Sequence, residues 1–196
     1  MPCSVRRLRL LGPVLAAVAM FAGCGGDDDA APSKRTHHDD RYGYDVTLPE
    51  GWQRAPRTLT PALRDPREIL AAATFPLPVT KDGCTNMPST ALARMPRDGA
   101  LVEIEERGGS PTSEFVRRPP RFTAAAGTAD IEVVDCVPQP PRFRPRWISF
   151  RDGGRAFYAL VAIGKSAPPS VRREAYGILN SLRFDPSRKA TWEGSP

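Results

Sequence analysis

Trp147-Ile148-Ser149-Phe150, Arg151-Asp152-Gly153-Gly154 and Arg155-Ala156-Phe157-Tyr158-Ala159-Leu160-Val161-Ala162-Ile163-Gly164 follow one another without a break. The first and last pieces are rich in aromatic and β-branched residues, and the Asp-Gly step between them supplies a tight turn. This reads as a β-hairpin. Its second strand is apolar on both faces, so it belongs in the middle of a sheet.

Working outward toward the C-terminus, a helix is expected from Pro168 or Ser170 to Leu182. Val171, Ala175, Ile178, Leu179 and Leu182 fall on one stripe, which packs on a sheet. Upstream, Leu101 to Glu106 alternates as a strand with Val102 and Ile104 inward. Met87, Ala91, Leu92 and Met95 space as one helix face between Pro88 and Pro96. Asp65-Pro66-Arg67-Glu68 has the layout of a helix start, but Ile69 to Phe75 is short and uniformly apolar, as a buried strand is. One helical turn feeding a strand is the reading, with strand and helix both open over residues 69–75. Tyr44, Val46 and Leu48 alternate with Asp45 and Thr47 as a half-buried strand, turned by Pro49-Glu50-Gly51 and followed by Trp52 as a core anchor. Ile131 to Val137 is a further strand, Gly108 to Ala129 is mostly loop, and Pro138 to Pro145 is an extended, proline-rich connection. The sum is an α+β domain: an antiparallel-leaning sheet packed by a C-terminal helix.

The N-terminus decides location. Arg6, Arg7 and Arg9 precede an apolar run, Leu8 to Ala22, too short for the roughly 20 residues of a membrane span. Phe21-Ala22-Gly23-Cys24 resembles the bacterial lipobox, with phenylalanine where leucine is usual. The resemblance implies cleavage before Cys24 and a diacylglycerol on its sulfur; an ordinary signal with an incidental cysteine is the alternative. The chain then divides into a signal peptide (1–23), a lipidated cysteine and disordered tether (24–40), the α+β domain (41–184) and a disordered tail (185–196). The tether is too polar to fold alone.

Export changes the arithmetic of the composition. The 196-residue chain carries +6, but residues 1–23 hold three arginines and no acids, which leaves +3 after cleavage. So small an excess on an exported chain argues against a nucleic-acid partner. Arginine outnumbers lysine 24 to 4, which reads as base composition of the genome before surface chemistry. With Cys3 and Cys24 set aside, Cys84 and Cys136 remain, and outside the cytoplasm two such cysteines usually pair. Their loop of roughly fifty residues makes the bridge worth about 4 kcal/mol. A thiol redox couple without C-x-x-C spacing and two buried free thiols are the alternatives.

Tyr44-Asp45-Val46-Thr47-Leu48-Pro49-Glu50-Gly51-Trp52 resembles the opening strand and turn of PsbP-like domains. Ile178-Leu179-Asn180-Ser181-Leu182-Arg183-Phe184 resembles their last element. The chain as a whole is similar to exported lipoproteins of high-GC bacteria. The PsbP-like resemblance implies a non-catalytic binding or assembly module; it covers about thirty residues and carries no site residues over.

The chemistry is mostly negative. Residues 41–184 hold no histidine, which removes Ser-His-Asp and Cys-His catalysis and histidine-based zinc sites there. His37-His38-Asp39-Asp40 has ligand types, but a mobile tether holds no metal geometry. Gly164-Lys165-Ser166 mimics the end of a phosphate-binding loop, yet Ala159 stands where its first glycine belongs. Glu103 and Glu105 share a strand face; the alternatives are a carboxylate pair for glycoside hydrolysis and a solvated face opposite arginines, and the second is favoured. No catalytic residue, metal or cofactor is expected. Arg142-Phe143-Arg144-Pro145-Arg146-Trp147 is the candidate anion-binding stretch. In extended chain Arg142, Arg144 and Arg146 project one way, with the rings, Trp147 among them, on the other side. Guanidinium forks suit phosphates and carboxylates, which points to lipid headgroups or anionic envelope polymers; a charged strand edge that discourages pairing is the alternative. The expectation is a lipid-anchored binding or assembly module at the cell membrane, on its extracytoplasmic side; the competing class is a carboxylate-dependent hydrolase of envelope material.

Overall fold

In chain order the elements are β1 (Arg35–Asp39), β2 (Tyr44–Leu48), β3 (Gln53–Arg54), β4 (Arg67–Ala73), α1 (Ser89–Arg94), β5 (Ala100–Arg107), β6 (Val116–Arg117), β7 (Phe143–Asp152), β8 (Arg155–Gly164), α2 (Pro169–Ser181) and β9 (Arg183–Phe184). The structure, a computed structural model, describes residues 34–77, 87–109, 111–125 and 143–188. These belong to one compact unit, Pro32–Pro196. Cys24, Cys84, Cys136, Arg142 and the expected strand Ile131–Val137 lie outside the described residues.

Among the described residues the strands form two sheets. A six-stranded sheet runs β3-β4-β5-β8-β7-β6, and a three-stranded sheet runs β1-β2-β9. Every pairing is antiparallel except β6 with β7. The fold is α+β, as expected. The β7–β8 hairpin holds the centre, with register from Phe143↔Gly164 to Asp152↔Arg155. Gly153 and Gly154 both have positive φ, 57° and 78°, which the two-residue turn requires.

Each face of the large sheet carries its own core. One face packs Val102, Ile104, Phe150, Phe157, Ala159 and Val161 against β2 and the α2 stripe Ala175, Ile178, Leu179 and Leu182. The other packs Leu101, Leu160, Ala162 and Phe143 against Leu92 and Met95 at α1. This two-sided burial explains why β8 is apolar throughout. Gly164 ends β8 where a Cβ would lie 2.1 Å from the Arg97 carbonyl oxygen, so close backbone approach accounts for this glycine.

The two sheets are joined by Arg155. Its Nε and Nη2 donate to the Glu106 carboxylate at 2.6 and 2.8 Å. The remaining N–H groups donate to the carbonyls of Tyr42, Gly43 and Asp185 at 2.8, 3.1 and 3.3 Å. All five guanidinium donors are thereby used. Phe157 and Phe184 stack at 3.9 Å beside the guanidinium. Tyr44 adds a second tie, its hydroxyl donating to the Ile69 carbonyl at 3.1 Å. Burial of that hydroxyl pushes its pKa up to about 12.

Several expectations are corrected. Residues 35–39, assigned to the tether, form β1 and pair along their whole length with β2. The polar side chains of β1 point mostly to solvent, and the backbone ladder supplies the order that side-chain burial does not. His37 and His38 are thus part of the fold. Residues 185–188 also belong to it: Asp185 N donates to Gly43 O at 2.9 Å, and Arg188 contacts Asp40. No helical turn precedes β4, because the Glu68 carboxylate serves the 58–60 loop in place of capping a helix. The first hairpin strand starts at Phe143, four residues before the expected point, so Pro145 is a strand residue. β6 pairs with β7 only at Phe150 and Arg151, so among the described residues Pro145 sits on an outer edge, where proline is tolerated.

Candidate functional site

The alternation of β7 separates the arginine stretch as expected for Arg144 and Arg146. Phe143 and Pro145 are buried on one face, while Arg144 is exposed and Arg146 half-buried on the other. Trp147 does not join the arginines; it stacks on Tyr158 across the sheet at 5.3 Å, on the opposite face. Arg146 is tied to the Ala124 carbonyl. Arg144 and Arg146 instead meet Arg172 of α2 around a small cavity of about 100 Å³, closed by Val161, Ile163 and Tyr176.

Two further cavities follow along α2 and the 117–125 segment, and together the three make a broken groove. The segment is clamped at two points. Arg118 donates to Asp152 at 2.8 Å and to the carbonyls of Leu179 and Leu182 at 2.9 Å, satisfying the free C-terminal carbonyls of α2. The Asn180 side-chain amide accepts from Phe122 N at 2.7 Å and donates to Phe122 O at 3.0 Å. The Phe122 ring is buried edge-on against Phe150 at 5.1 Å. A middle cavity of about 270 Å³ shares Ala124, Arg172 and Tyr176 with the first and adds Arg121 and Arg173. A third, about 720 Å³, shares Asn180 with the middle one and is lined by Arg117, Arg151 and Arg183.

The charge along this groove is one-sided. Asp152 is the one carboxylate among the described residues lining it, and Arg118 engages it. Arg117 and Arg151 stand directly opposite each other on β6 and β7. Like charges in that register repel. Such repulsion is relieved by an anion, and guanidinium forks bind phosphate or carboxylate with two parallel hydrogen bonds. Of the arginines here, only Arg144 and Arg146 stood in the quoted stretch. Arg117-Arg118-Pro119-Pro120-Arg121 and Arg172-Arg173 were visible as charge clusters, but their convergence follows from how the loop is clamped on α2.

Histidine and carboxylate candidates resolve differently. His38 is exposed and held between Asp45 at 2.6 Å and Asp40 at 3.2 Å. Those two contacts, Asp45 first, raise its pKa. Both ring nitrogens face carboxylate oxygens. Among the described residues no group of three His, Cys, Asp or Glu side chains is placed to hold a metal ion.

Glu103 and Glu105 do not form the solvated face expected of them. They are 0% and 1% exposed. A register shift between Glu68 and Leu70 brings Glu68 onto their face, directly opposite Glu105. Glu68 Oε2 accepts from Leu59 N at 2.7 Å, and from Thr60 N and the Thr58 and Thr60 hydroxyls at 2.9 Å. Oε1 of Glu105 is buried without a hydrogen-bond partner among the described residues. Burial, and then the Glu68 charge, push the Glu105 carboxyl up to about 8, so at neutral pH it keeps its proton.

No family model matches the chain, and no curated protein matches it. Among solved structures, the chain is similar to cyanobacterial PsbP from Synechocystis at 12% identity and a TM-score of 0.34, over 84% of this chain and 99% of that one.

Proposed function

We propose that this protein is a lipid-anchored, non-catalytic binding module that grips anionic material at the outer face of a cell membrane. The observation that carries the reading is the arginine cluster of Arg144, Arg146 and Arg172 at the mouth of a groove with a single lining carboxylate among the described residues. The anchor is the diacylglycerol on Cys24, and the Cys84–Cys136 bridge closes the domain. β1, Arg35–Asp39, takes those five residues out of the tether. Among the described residues no helix is long and apolar enough to cross a membrane. Against the hydrolase stands the burial of Glu103 and Glu105, which leaves no space for a sugar between them.

Two measurements test this. Labelled palmitate should enter the wild type and not a Cys24→Ser protein. The Arg142→Ser, Arg144→Ser, Arg146→Ser variant should lose most of its sedimentation with anionic vesicles or purified cell wall. Unchanged sedimentation ends the anion-binding reading, whatever the lipid result.

A further inference from the structure

We propose that the groove along α2 seats one linear phosphate polymer that engages arginines at both helix ends at once. This rests on the anion-binding reading and extends it from a point contact to a track.

Length is the first argument. The helix has 13 residues, so the cluster at its N-terminal end and the Arg117–Arg151–Arg183 cluster at its C-terminal end stand about 20 Å apart. The first two cavities share Ala124, Arg172 and Tyr176, and the second and third meet at Asn180, whose amide bridges to the Phe122 backbone, so a polymer passes over this bridge to reach both clusters. A lone phosphate or one lipid headgroup fills a single cluster and leaves the other unneutralised. A chain of phosphates reaches both.

Charge is the second. Among the described residues Arg117, Arg144, Arg151 and Arg172 form no ion pair. Arg117 and Arg151 hold an unfavourable register that the fold itself does not relieve. Chemistry of the lining is the third. The aromatic rings at the groove, Phe122 and Tyr176, are 1% and 6% exposed and offer no stacking platform. Single-stranded nucleic acid is bound by stacking on exposed rings, so a polymer without bases fits better.

The experiment uses tripolyphosphate and long-chain polyphosphate as probes of the mature, lipid-free protein, with affinity measured over a series of salt concentrations. Engagement of both ends makes the second contact intramolecular, so the long chain should bind about 100-fold tighter or more, with a steeper salt dependence. Arg117→Ser with Arg151→Ser should bring long-chain affinity down to the tripolyphosphate level and reduce tripolyphosphate stoichiometry to the one site left at the N-terminal cluster; both side chains are exposed, so the fold should survive. Equal affinity for the two probes overturns the track and leaves anion binding standing. Binding of neither probe overturns both. Tighter binding of single-stranded DNA than of polyphosphate of matched charge also overturns the proposal, because this groove has no surface for bases.

Discussion

The Arg155 guanidinium and the Glu106 carboxylate meet as a buried, two-pronged pair, at 2.6 and 2.8 Å. Arg155 is 2% exposed and Glu106 likewise 2%. The pair is the point where the hairpin, the β1–β2 turn and the chain after β9 are bound together.

Removing one partner leaves an uncompensated charge in the interior. Arg155→Met should therefore cost about 3–5 kcal/mol in urea unfolding, and Arg155→Lys most of that, since an ammonium cannot serve five directions. The double variant Arg155→Met, Glu106→Leu should recover a large part of the loss. A double variant as unstable as the sum of its parts would show that packing against Phe157 and Phe184, and not the pair, is what matters.

Glu105 makes stability fall as pH rises. In the unfolded chain it ionises near its ordinary value of 4.5, whereas folded it holds its proton up to about 8. Between these values the folded state binds the extra proton, so the contribution is full below the lower value and is lost as pH climbs through the upper one. We expect a loss on the order of 5 kcal/mol across this window, and Glu105→Gln, neutral throughout, should flatten it. Unfolding curves at pH 5 and pH 8 check this; an equal slope in the variant would assign the pH dependence elsewhere.

Asn180 holds one wall of the groove. Its amide both accepts from and donates to the Phe122 backbone. Asn180→Ala should cost about 1–3 kcal/mol and speed hydrogen exchange at the Phe122 amide. Asn180→Asp keeps the acceptor and loses the donor, so it should protect that amide while still destabilising. If exchange at Phe122 is unmoved in the alanine variant, the wall is held by Arg118 and the buried ring alone.

What was legible in the residues is what neighbours in sequence decide. The Asp152-Gly153-Gly154 turn, the apolar run of β8, the alternation of β2 and the α2 stripe all depend on local backbone preference and on a period of two or 3.6 residues. β2 and α2 were placed to within a residue or two of their observed ends. β1 escaped because Arg35-Thr36-His37-His38-Asp39 has no apolar alternation; its order comes from the ladder it makes with β2.

The sequence by itself determined the α+β class, the central hairpin, the closing helix and the two-way projection of the β7 side chains. Only the tertiary structure decided which polar groups went inside and which arginines came together. A strand reading of Glu103 and Glu105 cannot tell water from a second core on their side of the sheet. The register shift that sets Glu68 against Glu105 is a property of pairing, not of either strand. The groove likewise joins segments far apart in the chain, Arg117 to Arg121, Arg144 and Arg146, and Arg172 to Arg183. Their meeting is set by where Arg118 and Asn180 pin the loop against α2, through hydrogen bonds that no local pattern encodes.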